Sequence, residues 1–116
     1  MAAESIAKQK SMAFSIRIVR LYQYLTTDHK EYALSKQILR SGTSIGANIA
    51  EAIYGSSRKD FVAKLQIALK ECAETLYWLE LLYSCDYISD QVYQSLSDDC
   101  ETLRKILASS VKSSLS

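Results

Sequence analysis

One histidine, three cysteines and 13 carboxylates are the residues with which this 116-residue chain could do chemistry. His29 stands beside Asp28, but a general base needs a nucleophile or substrate held within hydrogen-bond reach, and no motif here supplies one. An exposed loop histidine is the favoured reading. Cys72, Cys85 and Cys100 are odd in number and lack CxxC spacing, which suggests neither a disulfide framework nor a zinc site. Cys72 and Cys100 fall on apolar helix faces, as small buried hydrophobes do. Asp98, Asp99 and Glu101 form the densest acidic cluster, towards the solvent side of the last helix, and the ExxH pattern of bundle metal sites is absent. The glycines at 42 and 46 form neither GxGxxG nor GK[ST]. The expectation is a protein that is not an enzyme and has no metal and no cofactor.

Phosphate contact is the remaining chemistry. The formal net charge is only +1, but residues 1–64 carry ten Lys and Arg against five Asp and Glu, and residues 65–116 carry four against eight. Lys8, Lys10, Arg17, Arg20, Lys36, Arg40, Arg58, Lys59 and Lys64 are therefore the candidates for binding RNA or other nucleic acid. Against this, helical charges usually form a solvated face or pair with the acids of neighbouring helices.

Four helices must position these residues. Pro is absent, Gly occurs three times and hydrophobic residues make up 48% of the chain, which argues against turn-dense β folds and against a disordered chain. At about 100° per residue, the periodicity predicts helices over about 5–27, 31–54, 58–84 and 90–110. Ser5, Ser57 and Ser89 are read as N-caps and Gly55 as a C-cap, with residues 109–116 fading out of the last helix. The first core stripe is Ala7, Phe14, Ile18, Leu21 and Leu25, and the second is Leu34, Ile38, Ile45, Ile49 and Ile53. Phe61, Leu65, Ala68, Cys72, Leu76, Leu79 and Tyr83 form the third; Val92, Leu96, Leu103 and Leu107 the fourth. Short links between such helices imply one domain over residues 1–116, all-α, an antiparallel up-down-up-down four-helix bundle. No run of about 18 apolar residues is present and the N-terminus has no signal-peptide pattern, so a cytoplasmic location without membrane contact is expected.

Two helices carry more apolar surface than one core uses. Met12, Ile16 and Val19 point away from Phe14 and Leu25; Ile67, Trp78 and Leu81 share an arc away from Leu65 and Leu76. Such stripes usually mark an interface, so self-association is favoured over a looser intramolecular core, with Trp78 as anchor. The segment Arg40, Ser41, Gly42, Ser44, Gly46, Asn48 and Glu51 places a polar stripe beside a ridge of small residues. Two glycines in a helix interior cost about 1 kcal/mol each relative to Ala, which calls for a reason. Close packing with a hydrogen-bonded network is favoured over a ligand-facing surface; a helix break at Ser41–Ser44, with Ser44 capping a new helix, is the third reading.

The run RSGTSIGANIAEA, followed by SSRKDFVAKLQIALKECAETLYWLELL, resembles the bacterial four-helix bundle proteins encoded within intervening sequences of 23S ribosomal RNA genes. The resemblance is strongest from Gln37 to Leu82. Where many relatives have Gly after NIAE, this chain has Ala52. It implies an antiparallel bundle assembled as a homopentamer, whose function is largely unestablished. It also extends distantly to accessory proteins of diversity-generating retroelements, which are basic pentamers that bind nucleic acid and a partner reverse transcriptase. The expected partners are thus further copies of the chain, RNA or DNA, and a partner protein. A structural or protein-interaction scaffold without nucleic acid is the alternative.

Overall fold

The computed structural model describes residues 2–55 and 57–115, with side chains from Ile6 onward. Its four helices are α1 (Ala2–Thr27), α2 (Leu34–Ile53), α3 (Arg58–Ser84) and α4 (Asp90–Leu115). In α1 the buried residues are Ala7, Ser11, Phe14, Ile18, Leu21 and Leu25, at alternating intervals of four and three. Spacing of this kind keeps a stripe facing its neighbours when helices cross at a shallow angle. Leu96, Cys100, Leu103, Leu107 and Val111, at intervals of three and four, form the buried stripe of α4.

Side-chain contacts fix the register. Gly42 lies against Ile18 while Gly46 lies against Ser11 and Ser15, so α1 and α2 run antiparallel. Arg40 meets Glu71 and Glu74 while Glu51 meets Lys64, which makes α2 and α3 antiparallel. Cys100 reaches Cys72 and Tyr93 stacks on Tyr83 across α3 and α4. Arg17 binds Asp99 and Ser95 across α1 and α4. The helices thus pack in the cyclic order α1, α2, α3, α4, with α1 diagonal to α3.

Several expected positions are corrected. α1 is already running at Ser5, so that residue does not start it; its side chain lies outside the described residues. α2 begins at Leu34, not Glu31, because the Glu31 carboxylate itself caps the helix, accepting from Ala33, Leu34 and Ser35 N–H at 3.2, 3.0 and 2.7 Å. α2 is continuous through Ser41–Ser44, which removes the helix-break reading. Tyr54, not Gly55, is its C-cap, and no described glycine has a positive φ. α4 runs on to Leu115, since Val111 continues the buried seam and Ser114 donates to the Ser110 carbonyl. Ser57 and Ser89 do cap α3 and α4, accepting from Asp60 and Val92 N–H.

The core follows the 3–4 spacing more closely than an ideal wheel. Val62, Thr75 and Leu82 are buried on α3, where Phe61, Leu76 and Tyr83 were expected and are only half-buried. Leu34 and Ile53 are half-buried too. Val92 is 39% exposed, whereas Ile88 in the preceding link is buried in its place. That link leaves α3 through Asp86 in the left-handed region (φ 66°), while Asp86 and Tyr87 N–H donate to the Tyr83 and Leu82 carbonyls. This turn carries Tyr87 back towards α1, where it meets His29.

Candidate functional site

The small-residue segment of α2 is a packing device. An added Cβ at Gly42 would lie 2.8 and 2.9 Å from the two γ carbons of Ile18, which is fully buried. At Gly46 the neighbours are the Ser11 and Ser15 hydroxyls at 3.3 Å. On the other flank, Ser41 and Thr75 are buried with their hydroxyl oxygens 2.9 Å apart, and Thr75 Oγ1 lies 2.8 Å from the Glu71 carbonyl. A hydroxyl has one proton, so Ser41 donates to Thr75 and Thr75 to Glu71, leaving no donor idle. Above them Arg40 bridges Glu71 and Glu74, and Trp78 Nε1 donates to Glu74 at 3.1 Å. That indole N–H does most to hold the Glu74 carboxyl below its ordinary value, partial burial opposes it, and Arg40 adds to it. Asn48 donates back to the Ser44 carbonyl and hydroxyl. Every polar residue of this segment is engaged with its own chain, as a packing role requires.

The apolar stripes separate. Met12, Ile16 and Val19 on α1 are 60, 46 and 39% exposed, and Ile67 on α3 is 42% exposed. Trp78 and Leu81 are half-buried, and Trp78 packs partly against the core, so the expected anchor is already partly covered within one chain. Tyr77 is 60% exposed and lies edge-on to Trp78. Because α1 and α3 are diagonal, the two apolar surfaces lie on opposite sides of the bundle.

The basic residues sort by end of the bundle. Arg17, Arg40 and Lys64 are committed to ion pairs with Asp99, Glu71 and Glu74, and Glu51. Among the described residues no carboxylate pairs with Lys8, Lys10, Arg20, Lys36, Arg58 or Lys59. Ile6 meets Lys105 and Ile106 around one cleft, and Arg58 meets Ser113 and Ser114 around another, so residues 1–10, 51–64 and 101–116 share one end. That end carries eight Lys and Arg against four Asp and Glu; the other, residues 20–36 and 80–92, carries three against five. Lys8, Lys10, Arg58 and Lys59 lie at the basic end; Arg20 and Lys36 lie at the other. Lys105 and Lys112 of α4 join the basic end only through tertiary structure, since α4 belongs to the half of the sequence that is acidic overall.

The residues of reactive type are held in structural contacts. His29 Nε2 is 2.9 Å from the Tyr24 hydroxyl, and its ring packs edge-on to both Tyr24 and Tyr87. Cys72 and Cys100 are buried, and the Cys100 thiol is pushed up by its hydrogen bond with Cys72 and then by burial, which suppresses the reactive thiolate. Cys85 is exposed at the end of α3. Among the described residues no group of three His, Cys, Asp or Glu could hold a metal, and no helix is long and apolar enough to cross a membrane.

A crystal structure from Bacteroides thetaiotaomicron VPI-5482, described as a protein with unknown function from the S23 ribosomal protein family, superposes with a TM-score of 0.94. It shares 52% sequence identity over 95% of this chain and 98% of its own. No curated relative matches the chain significantly. The family described as 23S rRNA-intervening sequence protein matches residues 3–109, from the apolar stripe of α1 through the α2 packing segment and most of α4. With the whole bundle covered, the chain belongs to the 23S rRNA-intervening sequence protein family.

Proposed function

We propose that this protein is a non-enzymatic homo-oligomeric bundle that binds RNA or other nucleic acid through a basic end repeated around the assembly. The observation that carries this reading is the gathering of Lys8, Lys10, Arg58 and Lys59, with no carboxylate partner among the described residues, at one end of the rod. Each contact with phosphate releases a counterion, and repetition in an oligomer strengthens binding without a high charge per chain.

The oligomer is supported by two unlike apolar surfaces on opposite sides. A two-fold dimer uses one self-complementary patch, whereas two different patches joined head to tail generate a ring when the rotation closes. The stripe of Met12, Ile16 and Val19 on one copy then faces the Ile67, Tyr77, Trp78 and Leu81 surface of the next. Five copies is the number that family resemblance implies.

Anisotropy of a labelled single-stranded RNA, titrated across salt, tests the binding. Affinity should fall as salt rises, and Lys8→Glu with Lys59→Glu should reduce both affinity and salt slope, while Lys36→Glu leaves them unchanged. Absence of binding at low salt, or a flat salt response, refutes nucleic-acid binding. The second reading, a structural or protein-interaction scaffold, is favoured by the commitment of Arg17, Arg40 and Lys64 to cross-helix ion pairs, and would then stand.

A further inference from the structure

At the end of the bundle away from the basic cluster, α1 and α4 part around a cavity of about 380 Å³, within the size range of small-molecule sites. Its floor is apolar: Leu21, Ile88 and Leu96 are all buried. Val92, which lines the cavity, is the one expected core residue of α4 that the bundle leaves 39% exposed. The rim is cationic. Arg17 and Arg20 both line it; Arg17 is locked to Asp99 and Ser95, and Arg20 has no carboxylate partner among the described residues. Asp90 of α4 accepts from the Tyr83 hydroxyl instead.

His29 has a role here that catalysis did not give it. The hydrogen bond and edge contact between His29 and Tyr24 tie the α1–α2 link to α1, and the edge contact with Tyr87 ties it to the α3–α4 link. Tyr24 is a wall of the cavity, and Tyr87 precedes Ile88 of its floor. His29, clasped between Tyr24 of α1 and Tyr87 of the α3–α4 link, therefore holds one side of the cavity in place.

We infer that this cavity binds a small monoanion with a single apolar body, an aromatic or short-chain carboxylate. The apolar body rests on Leu21, Ile88 and Leu96, and the carboxylate accepts from the Arg20 guanidinium, the charge-assisted bond that Arg makes best with such a group. A multiply charged nucleotide would leave phosphates over an apolar floor where, among the described residues, Arg20 is the one lining cation without a carboxylate partner, and a neutral ligand would make no use of Arg20. The site lies at the opposite end from the proposed nucleic-acid surface and does not rest on that reading.

The test is an NMR titration of the full chain with 1-naphthoate and with its neutral counterpart, 1-naphthylmethanol. Saturable shifts should be confined to the lining of the cavity, Arg20, Leu21, Tyr24, Ile88, Val92 and Leu96, with the carboxylate bound more tightly. Arg20→Gln should weaken 1-naphthoate about tenfold, the loss of one charge-assisted hydrogen bond, and leave the alcohol unchanged. Val92→Trp should exclude both probes with the helical circular dichroism intact, and His29→Ala should weaken both alike. Equal affinity for acid and alcohol, shifts spread over the Met12–Val19 face, or no shift because a second copy covers Val92 would each overturn the assignment.

Discussion

Replacing Gly42 by Ala sets two effects of opposite sign against each other. Ala gains about 1 kcal/mol over Gly in a helix interior. The new methyl, however, would sit 2.8 and 2.9 Å from the Ile18 γ carbons and 3.1 Å from its δ carbon. Those γ carbons are fixed to a β-branched side chain with one strongly preferred rotamer in a helix, and Ile18 is fully buried, so it has nowhere to turn. Either α1 and α2 separate or Ile18 leaves its rotamer, and overpacking of this kind costs about 1–3 kcal/mol. With the propensity gain deducted, Gly42→Ala should destabilise the protein by about 1 kcal/mol. For 116 residues that is about 4 °C in Tm, on an unfolding entropy of about 2.1 cal/mol/K per residue. Gly46→Ala is the control: its methyl meets rotatable serine hydroxyls at 3.3 Å, so it should be neutral or stabilising. Denaturant unfolding at fixed protein concentration, which holds any assembly constant, measures both. Adding Ile18→Ala to Gly42→Ala should cost less than the two single changes summed. A rise in stability for Gly42→Ala would refute the close-approach account of this glycine.

Further outcomes follow from other contacts. Thr75→Val strands the buried Ser41 hydroxyl and should cost about 1–3 kcal/mol, while Ser41→Ala added to it should restore part of the loss in the same unfolding assay. Burial raises the Glu31 carboxyl, but hydrogen bonds from Leu34, Ser35 and Ala33 N–H outweigh it, so its folded pKa is depressed below the unfolded value near 4.3. The stability it contributes is therefore present above that value and is lost as pH falls through the folded pKa; Glu31→Gln should flatten the acid limb of a stability–pH profile below about pH 5. Lys30 sits in the left-handed region at φ 55°, so Lys30→Gly should raise stability by up to about 1 kcal/mol, read as Tm. On the proposed assembly, the unaltered chain should scatter as an oligomer and Met12→Lys with Ile16→Lys should reduce its mass to the 13.0 kDa of one chain; a mass of 13.0 kDa before substitution would refute the assembly, and an unchanged large mass would move the interface away from this face.

How much could be read without coordinates differs between levels. The apolar period of α1 identified all five of its expected core residues, Ala7, Phe14, Ile18, Leu21 and Leu25, because a helix face is a local property set by 3.6 residues per turn. The Ser57 and Ser89 caps were legible for the same reason. The pairing of glycines at 42 and 46 signalled a close approach, yet only the structure named Ile18, Ser11 and Ser15 as the surfaces approached. On α3 the wheel chose Phe61, Leu76 and Tyr83, and packing at intervals of three and four buried Val62, Thr75 and Leu82. Val92 has the right phase for the core, and only the parting of α1 and α4 uncovers it. Charge was sorted twice. Along the chain the basic half is the first 64 residues, but antiparallel return brings the ends of all four helices together and makes the polarity axial, while register decides that, among the described residues, Arg17, Arg40 and Lys64 meet carboxylates and Lys8 and Lys59 do not. Periodicity along one helix is written in the sequence; what faces it across 8–10 Å of interhelical space depends on register and crossing angle, which only the assembled bundle sets.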